Sequence, residues 1–176
     1  MESHGTPYYR RDLALVHHRG FGFHADDCAP GVLSLLKPVL ARAGLVLEIG
    51  CGSGLLTRYL IDAGIGSSPR TPRRRCSTWH RDVAGDAEEI RRLTLPEDPI
   101  PPADAIVGVG HALNYLPDAE AIDRALVAIA EALRPGGILA IDLCDLEWGT
   151  ARQEDGSKGW AGDDWALVTE FSLPTP

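Results

Sequence analysis

The sequence predicts an α/β fold, a doubly wound and mainly parallel sheet with helices on both faces. Short apolar runs of strand length alternate with segments whose apolar residues have helical spacing, and this alternation favours a parallel sheet. One of these runs leads directly into a glycine-rich loop and a helical segment, which is how a nucleotide-binding unit begins. The length of 176 residues and the 44% hydrophobic content are typical of a single globular domain.

The first half of the chain contains the glycine-rich loop and the elements that flank it. Pro30-Gly31 precedes apolar residues at helical spacing over 32–40, and Gly44 stands where a helix commonly ends. Residues 45–49 (LVLEI) are short, largely apolar and partly β-branched, as in a strand buried on both faces of a parallel sheet. A helical segment is predicted after the loop, over 55–64.

The second half predicts two more strands with a helix between them, followed by a polar loop and a last strand. The predicted bounds are 103–109 for the second strand, 117–133 for the helix, 138–143 for the third strand, 149–163 for the loop and 163–172 for an antiparallel strand. Pro135-Gly136-Gly137 separates the helix from the third strand.

Charge and composition exclude several classes of protein. The net charge of −8 disfavours a nonspecific nucleic-acid binder, which must displace cations from phosphates. No apolar run approaches the roughly 18 residues of a membrane span, and the N-terminus lacks the order of a signal peptide. Four widely separated cysteines without a CxxC motif favour reduced thiols in a cytoplasmic protein over a metal site or a disulfide framework.

The loop Glu48-Ile49-Gly50-Cys51-Gly52-Ser53-Gly54 carries the main functional signal. Glycines are needed where the backbone turns sharply or where a ligand approaches the main chain. A following helix directs its first N–H groups at such a ligand. A dinucleotide-binding loop requires a third glycine at position 55, where this chain has Leu55, and an acid before the glycines does not suit a pyrophosphate. An NAD(P)-binding protein is therefore the second interpretation.

The segment LEIGCGSG closely resembles the first motif of class I S-adenosylmethionine-dependent methyltransferases. The order LNYLPD, helix, LRPGG and strand is also similar to this family, and the resemblance extends from about residue 8 to 171. It implies a Rossmann-like fold, S-adenosyl-L-methionine as the cofactor and methyl transfer to a small-molecule acceptor. It also implies that residues 45–176 form the cofactor-binding domain, after an N-terminal helical or lid segment over 1–44.

The resemblance also assigns roles to individual residues. Glu48 helps to anchor the ammonium region of the cofactor, and Asp86 with Ala87 resembles the clamp on its adenine. The implied cofactor-binding set is Glu48, Gly50, Cys51, Gly52, Gly54, Asp86, Ala87 and Gly110. No metal ligand is predicted.

The segment after the second predicted strand contains the residues that we expect to contact the methyl acceptor. His111, Asn114 and Tyr115 are expected to line the methyl-transfer pocket. The sulfonium is already a strong electrophile, so catalysis is largely positioning, and a base is needed only when the acceptor must lose a proton. His111 is the candidate base, and a histidine hydrogen-bonded into the structure is the competing interpretation. Tyr8, Tyr9, His17 and His18 form either a lid or a solvated amphipathic helix.

Residues 65–80 depart from the family pattern. They contain two prolines, four arginines and no acid, so no strand can be drawn there and the acid that binds the cofactor ribose is missing. Loss of one or two charge-assisted hydrogen bonds, each about 1.5–3 kcal/mol, predicts impaired cofactor binding. One hypothesis is a local frameshift, which the coding DNA would test.

The C-terminus departs as well. After residue 143 only one more strand is predicted, so we expect a C-terminally truncated sheet. A degenerate domain that binds no cofactor is the third interpretation.

Overall fold

A computed structural model describes residues 11–65, 75–76, 89–90, 93–154 and 156–170. The helices are α1 (Arg11–Gly20), α2 (Phe23–Ala41), α3 (Leu55–Asp62), α4 (Ala119–Ala132) and α5 (Leu146–Glu154), with a short 3₁₀ helix at Ala112–Tyr115. The strands are β1 (Val46–Glu48), β2 (Arg75–Cys76), β3 (Glu89–Ile90), β4 (Ala103–Gly108), β5 (Leu133–Ile141), β6 (Lys158–Ala161) and β7 (Ala166–Thr169).

The strands β1 to β5 form a parallel sheet in the order β3-β2-β1-β4-β5. In its centre Leu47 of β1 lies opposite Ile106 of β4, which in turn lies opposite Leu139 of β5. Strands β6 and β7 form a separate antiparallel pair, the C-terminal hairpin. The predicted α/β, Rossmann-like fold with a mainly parallel sheet is confirmed.

Two apolar layers cover the sheet because alternate residues of a strand face opposite sides. Val46 and Val107 belong to the layer under α2 and α3, together with Leu36 and Leu60. Leu47 and Ile106 belong to the opposite layer, into which α4 contributes the residues Ala125, Ile129 and Ala132. This burial on both faces explains why the strand sequences read as nearly continuous apolar runs.

The helix predicted over 117–133 is confirmed as α4. The side chain of Asp118 caps it by accepting a hydrogen bond from the N–H of Ala121 at 2.8 Å. Such a cap satisfies one of the backbone N–H groups that the first turn leaves without an intrahelical partner. Spacings of four residues then bury Ala121, Ala125 and Ile129 on one face.

The LRPGG segment joins the beginning of β5 to the beginning of β4. Arg134 Nη1 donates to Asp104 Oδ2 at 2.6 Å, and the N–H of Leu45 donates to the same oxygen at 2.7 Å. The register shifts between the pair Ala103–Leu133 and the pair Ala105–Ile138. Regular pairing of β5 therefore resumes at the residue where the sequence predicted its start.

Two boundaries and one loop differ from the prediction. Helix α2 begins at Phe23, not after Pro30, because buried Ala25 and Ala29 extend its apolar face toward the N-terminus. The segment 149–163, predicted as a loop, contains most of α5 and the strand β6. The antiparallel strand predicted over 163–172 exists as the shorter β7, which pairs with β6. Two strands therefore follow residue 143, which contradicts the prediction of only one.

The segment 65–80 does contain a strand, which contradicts the prediction that none could be drawn there. Residues 75–76 pair with β1, and Cys76 lies opposite Glu48. The absence of an acid from this segment is a property of the sequence, so impaired ribose binding stays a prediction. Tyr8, Tyr9, Asp86 and Ala87 lie outside the described residues.

The thiols differ in part from the expectation that all are reduced. Cys28 and Cys144 are free, whereas Cys51 is disulfide-bonded. None of the described helices combines the length and the apolar character that crossing a membrane requires.

Candidate functional site

The glycine loop follows β1 at the carboxyl edge of the sheet. Gly50, Gly52 and Gly54 have φ angles of 63°, 50° and 86°, in the left-handed region that side chains disfavour. The N–H of Gly54 donates to the carbonyl of Cys51 at 2.8 Å, and α3 begins at the next residue. The predicted strand, glycine loop and helix are therefore present as one continuous unit.

Glu48 lies beneath this loop as a buried carboxylate. The residue is 5% exposed, and its Oε2 accepts a hydrogen bond of 2.6 Å from Oγ1 of Thr57. Thr57 is itself buried on the first turns of α3, so the helix holds the carboxylate in place. The sequence analysis missed Thr57, although a polar residue among Leu55, Leu56 and Leu60 was a usable signal.

Two glycines allow the segment after β4 to lie against the glycine loop. A Cβ on Gly108 would lie 2.8 Å from the carbonyl oxygen of Ile49, and a Cβ on Gly50 would lie 2.5 Å from Cβ of Ala112. Both distances are shorter than side chains tolerate. The close approach therefore brings the residues just before Ala112 to the same edge of the sheet as the glycine loop.

Gly110 and His111 form a turn that Asp142 holds from the end of β5. The N–H of Gly110 donates to Asp142 Oδ2 at 3.0 Å, and the N–H of His111 donates to Oδ1 at 2.9 Å. His111 has a φ of 53°, which is uncommon for a residue with a side chain. Its Nδ1 lies 3.1 Å from Asp142 Oδ2, so the same carboxylate contacts the ring and the backbone of His111.

The charge state of Asp142 follows from these contacts. Burial raises the pKa of the carboxyl. The hydrogen bonds from the His111 ring and from the two backbone N–H groups lower this pKa by a larger amount, so that the net value is about 2. Asp142 is thus ionised at neutral pH. The sequence analysis did not single it out, although an acid at the carboxyl end of a predicted parallel strand is a usual site position.

Aromatic rings from two helices, α2 and α5, flank the His111 imidazole. The ring of His24 in α2 meets it edge-on at 5.7 Å between centroids, and Trp148 in α5 lies at 5.8 Å. Phe23 stacks on His24 at 4.3 Å, and the Arg152 guanidinium lies over Trp148 at 5.3 Å. Helices α2 and α5 therefore meet at the candidate base.

The other two predicted acceptor residues have different surroundings. The Asn114 amide donates to the carbonyl of Cys144 at 2.8 Å and accepts from its N–H at 3.0 Å, which joins the 3₁₀ helix to the loop before α5. Tyr115 is 46% exposed. Of the predicted site residues, Glu48, the three loop glycines, Gly110 and His111 come together at the carboxyl edges of β1 and β4.

The described part of the N-terminal segment contacts the C-terminal hairpin. Arg19 forms an ion pair with Asp164, and the rings of Phe21 and Trp160 lie 5.3 Å apart. A Cβ on Gly20 would lie 2.5 Å from the indole of Trp165, which shows how closely the end of α1 approaches the hairpin. His17 lies near this junction, and burial together with the imidazoles of His24 and His111 lowers its pKa.

Two curated relatives resemble this chain in sequence. An uncharacterized methyltransferase of Geobacillus kaustophilus is 34% identical over 125 residues, which are 67% of this chain and 55% of that protein. The 2-ketoarginine methyltransferase of Streptomyces arginensis is 29% identical over 143 residues, 78% of this chain and 42% of that protein. The chain thus spans about half the length of the curated relatives it matches. No protein-family model matches the chain.

Solved structures share the fold. The crystal structure of an S-adenosylmethionine-dependent methyltransferase from Clostridium acetobutylicum matches with a TM-score of 0.64 and 14% sequence identity. The match covers 92% of this chain and 69% of the other. At this identity the likeness establishes the architecture, and the sequence relatives carry the evidence for the family.

Proposed function

Because this chain belongs to the class I S-adenosylmethionine-dependent methyltransferase family, we propose that it binds S-adenosylmethionine and transfers its methyl group to a small-molecule acceptor. The observation that carries this proposal is the glycine loop, with its three left-handed glycines between a buried carboxylate and the first turn of α3. A loop of this kind lets a ligand approach the backbone without meeting a Cβ.

The residues at the loop fit the amino-acid part of this cofactor. The carboxylate of Glu48, buried beneath the loop, suits an ammonium group because the two groups have opposite charges. Gly110 has a φ of 89°, and no atom of the described residues other than its chain neighbours lies within 4 Å of where its Cβ would be, so there is space for a ligand beside Gly110. The assignment of Cys51, Gly52 and Gly54 to the cofactor, and of Asp86 and Ala87 to its adenine, is part of the same proposal.

The bound cofactor supplies an electrophilic methyl group. The chain must then hold the acceptor in line with that group, which is a matter of position and orientation. His111 is the proposed base for an acceptor that has a proton to lose, and Asn114 and Tyr115 are proposed to line its pocket. A small-molecule acceptor is supported by the name of the 2-ketoarginine methyltransferase among the relatives. The acidic composition supports a protein that has no nucleic-acid partner.

Calorimetric titration of the purified chain with S-adenosylhomocysteine tests the proposal, with NAD as the control ligand. We expect binding of S-adenosylhomocysteine alone. Glu48→Gln removes the charge that would face the ammonium group and should weaken binding by at least tenfold, the equivalent of about 1.4 kcal/mol. Glu120→Gln is the matched control, because Glu120 is exposed on α4 and, among the described residues, pairs with Arg124 one turn away. A folded protein that does not bind S-adenosylhomocysteine would contradict the proposed function.

A further inference from the structure

The contacts of Asp142 define the chemical state of the His111 ring. An ionised carboxylate can only accept hydrogen bonds, and Asp142 already accepts from the N–H groups of Gly110 and His111. Its Oδ2 also lies 3.1 Å from Nδ1 of His111. A favourable contact there requires Nδ1 to carry the proton, so that in the neutral imidazole Nε2 has the free electron pair.

The orientation of the ring is restricted from several sides. The backbone of His111 is in the left-handed region and is held there by two hydrogen bonds to Asp142. Such a conformation is unfavourable for a residue with a side chain and persists only where neighbouring groups determine it. The rings of His24 and Trp148 flank the imidazole, at 5.7 and 5.8 Å between centroids.

From this geometry we infer that Asp142 is a positioning residue, which fixes the Nδ1–H tautomer of His111 and leaves Nε2 to take a proton from the methyl acceptor. The inference rests on the proposed function, and it narrows the acceptor to a nucleophile that loses a proton as it is methylated, such as a hydroxyl group or a neutral amine. In the step, the acceptor atom forms a bond to the methyl carbon and the carbon–sulfur bond breaks. The acceptor proton moves to Nε2, and the sulfur keeps the electron pair of the broken bond as a neutral thioether.

The tautomer can be measured directly by long-range ¹H–¹⁵N correlation spectra of the histidine side chains at pH 8, with the His111 signals assigned by their loss in His111→Gln. For the wild-type chain we expect a protonated Nδ1 and an unprotonated Nε2. Asp142→Asn replaces one acceptor oxygen by an NH₂ group, so it cannot accept all three hydrogen bonds. We expect loss of the single-tautomer pattern and signals averaged between the two tautomers.

Asp118→Asn is the matched control, because asparagine caps a helix as well as aspartate does and Asp118 serves α4. It should leave the His111 signals unchanged. A wild-type His111 that is protonated on Nε2, or on both nitrogens at pH 8, overturns the inference even if Asp142→Asn does not fold. Identical His111 spectra in the wild type and in folded Asp142→Asn overturn it as well.

Recording the spectra with and without S-adenosylhomocysteine separates this inference from the proposed function. If the chain binds S-adenosylhomocysteine but His111 is the Nε2–H tautomer, the role of Asp142 is contradicted and the cofactor assignment is retained. An Nδ1–H tautomer in a chain that does not bind S-adenosylhomocysteine contradicts the proposed function, and with it the role of Nε2 as the base for a methyl acceptor.

Discussion

Gly108 shows how the lack of one side chain positions the site. It is the last residue of β4, and a Cβ at this position would lie 2.8 Å from the carbonyl oxygen of Ile49. A backbone atom at the end of β1 cannot turn away as a side chain can. The contact between β1 and β4 at their carboxyl ends, and with it the placement of His111 beside the glycine loop, therefore depends on glycine here.

We expect Gly108→Ala to destabilise the protein by about 1–3 kcal/mol, the usual cost of inserting a methyl group into a closely packed site. The midpoint of urea unfolding measures this change. Gly149→Ala is the control, because no atom of the described residues, apart from the adjoining backbone of α5, lies within 4 Å of where its Cβ would be. It should be neutral or stabilising by up to about 1 kcal/mol. Equal midpoints for the two variants would show that the strands separate without cost.

At the scale of elements, the junction of α1 and α2 with the site depends on neutral histidines. Burial is the main reason why the pKa of His17 and that of His24 lie below 6.5, and neighbouring imidazoles lower both further. Asp142 and Asp27 raise the pKa of His24, but the net shift is downward. We call the structure described here the docked form, and a form in which α1 and α2 have separated from the site the open form. His17 and His24 therefore bind protons more strongly in the open form than in the docked form.

The ordinary pKa of histidine, 6.5, applies to the open form. The docked form is therefore fully stabilised above pH 6.5, and this stabilisation is lost as the pH falls toward the lowered pKa values of His17 and His24. We expect amide hydrogen exchange of residues 16–30 to accelerate between pH 8 and pH 5.5, after correction for the intrinsic rate. Helix α4 serves as the internal reference. Replacing both His17 and His24 by Gln should remove most of the difference, and an unchanged ratio of protection between the two regions in the wild type would contradict the prediction.

Elements with strong apolar periodicity were predictable from the sequence, and elements held by local polar contacts were not. Strand β4 is a buried apolar run, and α4 combines apolar spacing with an Asp118 cap, so both were predicted within a few residues. Helix α5 has no buried residue and therefore no periodicity to detect. Its start is held by Asp145, whose Oδ1 accepts from the N–H of Trp148 at 2.8 Å.

The same distinction applies to the site. Glycine positions and the acid of β1 follow a local pattern, so the loop could be predicted from consecutive residues. Asp142 and His111 are 31 residues apart, and Glu48 and Thr57 are nine apart. These partners meet only through the pairing of β4 with β5 and the packing of α3, which a sequence pattern does not specify.

At the scale of the whole molecule, the described residues form two unequal parts. The parallel sheet lies between two apolar layers, whereas the hairpin of β6 and β7 is a two-stranded sheet of its own. An isolated hairpin is marginally stable. This one is attached through the ion pair of Arg19 with Asp164 and through the contacts of Trp160 and Trp165 with the end of α1.

We therefore expect the hairpin to separate from the sheet before the sheet unfolds. In a Trp79→Phe background the three remaining tryptophans lie within residues 148–165, so their fluorescence follows α5 and the hairpin, while far-UV circular dichroism follows the whole fold. The fluorescence transition should occur at a lower urea concentration, and Asp164→Ala should shift that transition while leaving the circular dichroism midpoint in place. Coincident transitions would contradict this prediction. They would mean that the hairpin and the sheet unfold as one cooperative unit, so that the contacts between the end of α1 and the hairpin are lost only when the core unfolds.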